Sequence, residues 1–251
     1  MKPALFVSDL HLAPDRPGIA AAFHAFTRGP AREAAAVYIL GDLFDAWLGD
    51  DQARRETFAR TVAASLRAVS DAGVALFIAC GNRDFLLGED FARSVGATLL
   101  GEQTLVDLAG RRTLLTHGDE FCTDDVGYQR FRKWSRDPRE QRRLLALPYF
   151  ARRLIGASLR RGSRAATARK SESILDVNRG AVEQAFRTHA VTRIIHGHTH
   201  RPARHASIVD GVARERIVLA DWDERGHYTA VDANGVHDHD IDVPSQPDTI
   251  Q

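Results

Sequence analysis

The sequence predicts an α/β fold with polar motifs at the carboxyl ends of its strands. Residues 4–7, 37–40 and 74–79 are short apolar runs rich in branched side chains, and each ends at a polar turn, as buried strands do. An amphipathic helical pattern lies between the second and third runs. Such βαβ units build a largely parallel sheet, whose ligands bind at the carboxyl ends of the strands.

The later elements follow from the same periodicities. A crossover helix is predicted between the second and third strands because apolar residues recur there at helical spacing: Phe58, Val62, Leu66 and Val69. Residues 104–108 and 112–116 flank a short turn and indicate a hairpin. Residues 173–188 carry an apolar helix face that begins with Ile174 and continues through Val177, and a strand is expected next, at residues 193–195.

The end of the chain reads as β-structure followed by a polar tail. Antiparallel strands are expected from about residue 205 to 243, with turns at Asp210-Gly211 and Asn234-Gly235. We therefore predict one domain over residues 1–243. Residues 244–251 are polar and are expected to be disordered.

Composition excludes several protein classes. The chain has 251 residues, 44% of them apolar, which is enough to fill a substantial core. No stretch approaches the roughly 20 apolar residues of a spanning helix, and nothing at the amino terminus resembles an export signal. The two cysteines, Cys80 and Cys122, lack metal-site spacing and are expected to be structural thiols in a reducing compartment. A net charge of +1 argues against a general nucleic-acid binder.

The charge is unevenly distributed along the chain. Residues 128–170 contain fourteen Arg or Lys against two acidic residues, a local charge of +12, so the remainder carries −11.

Large apolar residues are interleaved with these cations. Pro138 and Pro148 predict breaks between short amphipathic helices, with Gly156 and Gly162 as further soft points. Such an insertion, at about residues 125–170, can lie on an anionic membrane while its apolar face receives acyl chains. A helical cap that packs its apolar face on the body and only solvates its cations is the simpler interpretation.

Five polar motifs follow apolar runs. They are Asp9-Leu10-His11, Gly41-Asp42, Gly81-Asn82-Arg83-Asp84, His117-Gly118-Asp119 and His196-Gly197-His198. Each alone is weak, since a Gly-Asp pair is usually a turn and a histidine at a strand end is often a surface group. Together they offer oxygen and imidazole ligands without thiolate, which suits Mn²⁺, Fe or Zn²⁺. We expect His196 and His198 to point the same way on an extended segment, and Gly41 and Gly81 to clear space for a metal or phosphate.

These motifs resemble those of the calcineurin-like metallophosphoesterase family over nearly the whole chain, from residue 4 to about 243. The resemblance implies a double β-sandwich flanked by helices, with a helical lid insertion and two divalent metal ions. It implies that Asp9, His11, Asp42 and His198 hold one ion, and that Asp42, Asn82, His117 and His196 hold the second. Two ions about 3.5–4 Å apart can clamp a phosphoryl group and generate hydroxide from bridging water.

Longer runs are similar to the branch of this family that cleaves the pyrophosphate bond of UDP-2,3-diacylglucosamine in lipid A biosynthesis. The runs cover residues 40–51, 81–88, 117–119, 122–125 and 196–202. The resemblance implies Mn²⁺, attack of activated water on the nucleotide-side phosphorus, and release of UMP and 2,3-diacylglucosamine 1-phosphate. It also implies a peripheral protein on the cytoplasmic side of a bacterial inner membrane. We expect a monomer without a nucleic-acid partner.

The resemblance also assigns roles to individual side chains. The implied catalytic residues are Asp42, Asn82, Arg83, His117 and His196. The implied substrate contacts are Asn82, Arg83, Asp125, Ser163, Thr167, Lys170 and His196, although Thr167 stands where relatives commonly carry Asn. Many family members have a histidine, resembling a general acid, at the position of Arg83. A phosphate leaving group, with a second pKa of about 6, scarcely needs a proton, whereas a guanidinium can grip two phosphate oxygens. The simpler interpretation of Arg83 is a solvated loop cation.

Other functions remain open at the level of sequence. A cyclic-nucleotide phosphodiesterase or a dinucleoside polyphosphate hydrolase would use the same metal motifs. A non-catalytic scaffold should have lost some ligands, and a basic membrane or nucleic-acid module would leave the motifs unexplained. Asp84, Asp119 and His200 could orient the ligand imidazoles, or Asp45 and Asp84 could cap the helices that follow.

Overall fold

The computed structural model describes residues 2–167, 174 and 176–242. Its strands are β1 (Ala4–Val7), β2 (Ala36–Leu40), β3 (Ala75–Ala79), β4 (Ala97–Leu99), β5 (Gln103–Leu108), β6 (Arg111–Thr116), β7 (Arg193–His196), β8 (Ala203–Val209), β9 (Val212–Val218), β10 (Gly226–Asp232) and β11 (Gly235–Ile241). Its helices are α1 (Pro17–Arg28), α2 (Pro30–Glu33), α3 (Gln52–Arg55), α4 (Thr57–Asp71), α5 (Glu89–Ser94), α6 (Val126–Ser135), α7 (Pro138–Leu145), α8 (Tyr149–Thr167) and α9 (Arg179–His189), with a 3₁₀ turn at Asp119–Phe121.

The strands form two sheets. One has the order β11-β10-β1-β2-β3-β4 and the other β5-β6-β7-β9-β8. In the first sheet β1 to β4 are parallel, and β10 joins β1 in antiparallel register with Leu5 opposite Ala230. In the second sheet β6, β7 and β9 are parallel, with Ile194 opposite both Leu114 and Arg216. The carboxyl ends of the parallel strands in each sheet therefore share one edge.

The two sheets pack face to face around an apolar layer. Phe6 stacks on Tyr38 at 4.8 Å between ring centroids, and Tyr38 stacks on Phe77 at 4.6 Å. Because neighbouring residues on a strand face opposite ways, Leu5 and Val7 instead pack under the helices that cover the outer face of the first sheet. The outer face of the second sheet is covered by α9. This arrangement confirms the double β-sandwich flanked by helices.

Most predicted elements are confirmed. The three amino-terminal strands, the crossover helix α4, the β5–β6 hairpin and β7 lie where the periodicity indicated them. Pro138 is the first residue of α7 and Pro148 directly precedes α8, so both predicted breaks in the insertion are confirmed. Cys80 and Cys122 are thiols, and burial raises the pKa of each to about 12, as expected of structural cysteines.

Two details differ from the sequence-based expectation. The helix predicted from residue 173 begins only at Arg179, because the side chain of Asn178 accepts a hydrogen bond from the backbone N–H of Ala181 and caps the helix there. Gly156 and Gly162 do not interrupt α8. The antiparallel carboxyl-terminal strands and their two turns are confirmed, as the β8–β9 and β10–β11 hairpins, and the two hairpins belong to different sheets.

Candidate functional site

The strand-end motifs converge on one edge of the sandwich. The N–H of Asp9 donates to the carbonyl of Gly41 at 3.1 Å, and that of His11 donates to the carbonyl of Asp42 at 2.9 Å. Across the sheets, Nδ1 of His117 donates to the carbonyl of Leu40 at 2.9 Å. Backbone pairing therefore brings residues from both sheets to one rim.

Hydrogen bonds fix one carboxylate oxygen of Asp9, and the other oxygen faces the histidines of the cluster. Its Oδ2 accepts from the hydroxyl of Ser8 at 2.7 Å and from the N–H of His198 at 2.8 Å. Its Oδ1 is buried and has no hydrogen-bond partner. The nearest donors to Oδ1 are Nε2 of His200 at 3.4 Å and Nε2 of His11 at 4.0 Å. A buried carboxylate oxygen that lies between two imidazoles and has no hydrogen-bond partner among the described residues is placed to bind a cation.

Asp42 lies at the centre of the cluster. Its Oδ2 is 3.7 Å from Nδ1 of His11, and its Oδ1 is 4.0 Å from Nε2 of His117. The N–H of Arg83 donates to Oδ1 at 2.8 Å. A Cβ on Gly81 would stand 2.1 Å from Oδ1 of Asp42, so the glycine clears space for this carboxylate rather than for a phosphate.

Asn82 lies between two imidazoles. Its Oδ1 is 3.1 Å from Nε2 of His117 and 2.9 Å from Nδ1 of His198. Because Nδ1 of His117 is fixed by a backbone carbonyl, its Nε2 is the nitrogen that faces the cluster. These three residues form a second group beside Asp42.

The structure departs from the expected ligand set at His196. The ring of His196 is fully buried and lies beneath the site, where Nδ1 donates to the carbonyl of Gly197 at 2.8 Å and Nε2 accepts from Arg216 at 3.1 Å. His200 instead reaches the cluster, with its Nε2 3.3 Å from Nε2 of His11. The reason is local, since β7 ends at His196 and the chain then turns, with φ of 70° at His198 and 54° at His200. The alternation of a strand does not continue through this segment.

Left-handed backbone is concentrated in the site. Five of the eight non-glycine residues with positive φ among the described residues belong to it: Asp9, His11, Asp42, His198 and His200. A non-glycine residue in this region costs of order 1–3 kcal/mol when strained, and it persists only where surrounding contacts over-determine it. The fold therefore holds these five side chains toward one point at a cost in stability.

The pKa values of the carboxylates and imidazoles in the cluster are consistent with a cation-binding site. Burial raises the pKa of Asp42 to about 7. Burial lowers the pKa of His11 to about 3 and that of His198 to about 4, so both imidazoles are neutral at pH 7. Burial also raises the pKa of Asp9, but its contact with His200 and the nearby positive charges outweigh this and hold the pKa well below its usual range. Burial also acts to lower the pKa of His200 and of His117, but it is outweighed. Asp221 and Asp9 raise the pKa of His200 to about 10, and Asp42 and Asp9 raise that of His117. Carboxylates gathered with imidazoles in this way are the usual surroundings of a divalent metal.

The donor set fits metal ions in two places. Two groups have ligand atoms within 4.8 Å of one another, namely Asp9, His11 and His200, and Asp9, Asp42 and His117. Nδ1 of His11 is buried without a hydrogen-bond partner, as is Oδ1 of Asp9. Neutral imidazole, carboxylate and amide oxygen without thiolate suit Mn²⁺, Fe²⁺ or Zn²⁺.

A cavity of about 700 Å³ opens beside the cluster. Asp42, Asn82, Arg83, His198 and His200 lie at one end of it. Most of the remaining large side chains are apolar and come from the core and from the helical insertion: Trp47, Leu48, Phe85, Leu86, Phe131, Leu144, Ile155 and Leu159. Asp45, Asp125, Arg152 and Arg160 also line it. The cavity thus joins a charged end to a long apolar chamber. His196 does not line it.

The predicted substrate contacts have different positions. Arg83 lines the cavity, with its Nη1 paired with Asp45 and its Nε 3.8 Å from Oδ2 of Asp42. Asp125 also lines the cavity, and its side chain caps α6 by accepting from the N–H of Tyr128 at 3.0 Å. Ser163 and Thr167 belong to α8, but their side chains are outside what the structure describes. Lys170 lies outside the described residues.

Ion pairs fasten α8 to the body. Arg152 donates to both carboxylate oxygens of Asp51, at 2.9 and 2.7 Å, and Tyr149 donates to Glu56 at 2.5 Å. Arg152 therefore docks the insertion on the body, whereas the cap interpretation expected the cations to be only solvated. A separate apolar face of α8 points outward, since Phe150 is 69% and Leu154 70% exposed. No helix among the described residues has the length and hydropathy to cross a membrane.

The roles of several supporting residues were either left open by the sequence-based prediction or not predicted. Asp84 caps no helix and instead accepts from the N–H groups of Gly81, Asp42 and Leu43 at 2.7, 3.2 and 2.8 Å, which ties two motifs together. Asp221 lies 3.0 Å from Nδ1 of His200. The rule that revealed the five motifs would have found Asp221, because it follows the apolar end of β9. Nothing in the sequence singles out Arg216.

Asp119 supports the site indirectly. It accepts from the Tyr128 hydroxyl at 2.7 Å and from Nε of Arg132 at 3.1 Å, and it contacts none of the predicted ligand imidazoles. The ring of Tyr128 packs against His198 at 5.4 Å between centroids. Asp119 therefore orients an aromatic neighbour of His198 rather than the imidazole itself.

Comparisons with known proteins show the family to which the chain is related. A family model described as calcineurin-like phosphoesterase matches residues 2–202. The chain is 48% identical over 231 residues to a UDP-2,3-diacylglucosamine hydrolase of Pseudomonas paraeruginosa, covering 92% of this chain and 95% of the relative. It is 49% identical over 232 residues to the protein of the same name from Escherichia fergusonii, with 92% and 96% covered. A solved archaeal phosphodiesterase is 13% identical with a TM-score of 0.46, covering 95% of this chain and 99% of that one.

Proposed function

The chain belongs to the calcineurin-like phosphoesterase family, and we propose that it is the enzyme that hydrolyses UDP-2,3-diacylglucosamine in lipid A biosynthesis. The products are UMP and 2,3-diacylglucosamine 1-phosphate. One observation carries the proposal beyond a general phosphoesterase. The cavity that begins at Asp42 and Arg83 continues into a mainly apolar chamber between the body and the helical insertion, which suits a pyrophosphate attached to two acyl chains.

We assign the metal ligands from the geometry. Asp9, His11, Asp42 and His200 would hold the first ion, and Asp42, Asn82, His117 and His198 the second. This set moves the histidine pair two residues along from the one implied by the resemblance and leaves His196 as a buried support for the loop. When bound, two divalent ions, for which we propose Mn²⁺, supply Lewis-acid activation of water and of the phosphoryl oxygens.

The residues of the chain orient the substrate and stabilise its charge. Arg83 is fixed by its backbone N–H to Asp42 and by its side chain to Asp45, so its guanidinium stands beside the place where the pyrophosphate enters. A planar guanidinium can bind two phosphate oxygens and offset the charge that develops on the leaving phosphate. Asp125 can accept from a sugar or uridine hydroxyl at the cavity wall. Ser163, Thr167 and Lys170 remain proposed contacts on the strength of the resemblance.

The first expected result concerns the substrate. With Mn²⁺-loaded protein, UMP should be released from UDP-2,3-diacylglucosamine but not from UDP-N-acetylglucosamine, because the apolar chamber supplies binding energy only to acyl chains. EDTA-treated protein should be inactive with both substrates. Released UMP can be measured by chromatography, and reloading with Zn²⁺ or Fe²⁺ would compare the metals.

The outcomes of this comparison separate the proposals. Equal metal-dependent cleavage of both substrates would keep the chemistry and remove the role of the acyl chains. Cleavage that survives metal removal would exclude the two-metal site. Turnover of neither substrate, in protein shown to hold two metal ions, would reject the substrate assignment.

We also propose that α8 touches an anionic membrane surface and that the protein does so as a monomer on the cytoplasmic side. The protein should sediment with vesicles that contain phosphatidylglycerol, and light scattering without vesicles should give a mass near 27.7 kDa. Replacing the exposed Phe150 and Leu154 with serine should weaken vesicle binding more than 10-fold, since burying each side chain contributes about 1.5–3 kcal/mol.

A matched pair of exposed apolar residues provides the control. Ile208 and Val212 are 75% and 42% exposed on the β8–β9 hairpin, and their replacement with serine should leave vesicle binding unchanged. Equal losses in the two double variants, or no loss in either, would favour a cap that only solvates its cations.

A further inference from the structure

Asp221 occupies a rigid position behind the site. It lies three residues beyond β9, in a segment held at two points, where the N–H of Leu219 donates to the carbonyl of His196 at 2.7 Å and the N–H of Trp222 donates to the carbonyl of Asp9 at 3.1 Å. Trp222 is fully buried and anchors the segment. The carboxylate of Asp221 is thereby placed by the same backbone that carries Asp9.

Asp221 fixes the ring of His200. Its Oδ2 lies 3.0 Å from Nδ1 of His200, so Nδ1 is directed away from the cluster. Nε2 is then the nitrogen that faces Oδ1 of Asp9, at 3.4 Å, and Nε2 of His11, at 3.3 Å. His200 is 37% exposed and has φ of 54°, so neither burial nor a relaxed backbone would hold the ring in this orientation.

Asp221 keeps contact with water while making this hydrogen bond. Its side chain is 26% exposed, and it lines a second cavity, of about 390 Å³, between the β8–β9 and β10–β11 hairpins. The carboxylate can therefore stay hydrated on one side and bond His200 on the other. It is not part of the cavity that contains Asp42 and Arg83.

We propose that Asp221 is a positioning residue that orients His200 for the first metal ion, an inference that rests on the ligand set proposed above. A carboxylate that accepts from the second nitrogen of a metal-binding histidine fixes the ring and makes the ligating nitrogen more basic. Loss of such a partner typically weakens metal binding about 10–100-fold. Asp221 does not line the substrate cavity. Its carboxylate contacts His200 rather than the proposed ligand carboxylates, so it acts through His200.

Metal binding rather than turnover tests this role. Metal-free wild-type protein and the Asp221→Ala and Asp221→Asn variants would be titrated with Mn²⁺ alone in a calorimeter. In Asp221→Ala one of the two sites should weaken by about 10–100-fold while the other keeps its affinity. Asp221→Asn should lose less, because an amide oxygen can still accept from Nδ1. Asp223→Asn is the matched control, since that side chain is 82% exposed and pairs only with Arg16 among the contacts described.

The melting temperature of the metal-free proteins separates positioning from folding. We expect all three variants to melt near the wild type without metal and only Asp221→Ala and Asp221→Asn to gain less stability on adding Mn²⁺. Two sites of wild-type affinity in Asp221→Ala would overturn the proposal. Equal weakening of both sites together with a lower metal-free melting temperature in both Asp221 variants would assign a structural role instead. A wild type that binds two Mn²⁺ but leaves UDP-2,3-diacylglucosamine intact would reject the proposed function without affecting this result.

Discussion

Replacing Asp42 with alanine is expected to abolish turnover of UDP-2,3-diacylglucosamine. The carboxylate of Asp42 lies between a proposed ligand of each ion, with Oδ2 3.7 Å from Nδ1 of His11 and Oδ1 4.0 Å from Nε2 of His117. Its loss should lower kcat by more than about 10³-fold, because removing even one preorganised charge-stabilising group costs about 10²–10³-fold. The variant should also retain fewer than two metal ions, as measured by elemental analysis after dialysis.

The same substitution should not damage the metal-free fold. Burial raises the pKa of Asp42 to about 7, well above the usual range of a carboxyl group, so the metal-free wild type is stabilised by this group at low pH and loses that contribution as the pH rises through 7. Without metal, Asp42→Ala should therefore melt no lower than the wild type at pH 8. Asp71→Ala, which changes a half-exposed surface carboxylate paired with Arg67, should leave both activity and metal content unchanged.

Two results would contradict this reading of Asp42. An Asp42→Ala protein that turns over substrate within about 10-fold of the wild type would show that the carboxylate is not shared between two ions. A metal-free variant that melts well below the wild type at pH 8 would mean that its inactivity reports misfolding.

The sequence could predict the site because local signals mark where strands end. Ala4–Val7 and the two runs that follow it are buried strands, and the polar residues directly after them, such as Asp9 and Asp42, form the rim. An apolar run and the polar residues that end it are both local features of the sequence, so periodicity reveals both. The pairing of β1 with β10, by contrast, joins residues that are far apart in the sequence. β10 lies beside β1 through pairing of Leu5 with Ala230, and no pattern in either strand specifies that partner.

The choice of histidines shows where sequence reasoning stops. Residues 196–200 contain two overlapping His-x-His pairs, and both have the same spacing. Which pair faces the rim depends on the residue at which β7 ends and on the left-handed turns at His198 and His200. Those turns are imposed by contacts from elsewhere, such as the hydrogen bond from the N–H of His198 to Asp9. A tertiary contact therefore decides a question that spacing leaves open.

The helical insertion was predictable in outline for a different reason. Pro138 and Pro148 act on the backbone locally, so the breaks between α6, α7 and α8 could be placed. The two glycines of α8 were expected to weaken it, yet a Cβ on Gly156 would stand 2.7 Å from Leu48. The absence of that side chain lets the helix approach the body, and only the packed structure reveals this purpose.

Replacing Arg83 with alanine is expected to slow hydrolysis about 10²–10³-fold in kcat/KM while both metal ions remain bound. The guanidinium lines the cavity, is 32% exposed, and is held by Asp45 rather than by the metal ligands alone. Arg83→Lys should recover part of the loss, since an ammonium keeps the charge but not the two parallel hydrogen bonds. Steady-state kinetics with UDP-2,3-diacylglucosamine and elemental analysis of each variant provide the two measurements.

Arg93→Ala supplies the matched control, because Arg93 is a 74% exposed arginine that pairs with Asp90 on the surface and should behave as wild type. Three outcomes discriminate between roles for Arg83. Unchanged kinetics in Arg83→Ala would leave the residue as a solvated loop cation. Loss of a metal ion would show that its contacts with Asp42 organise the ligands instead of the substrate. Full activity in Arg83→Lys would mean that charge alone suffices, and the argument that a bidentate guanidinium replaces a general acid would fail.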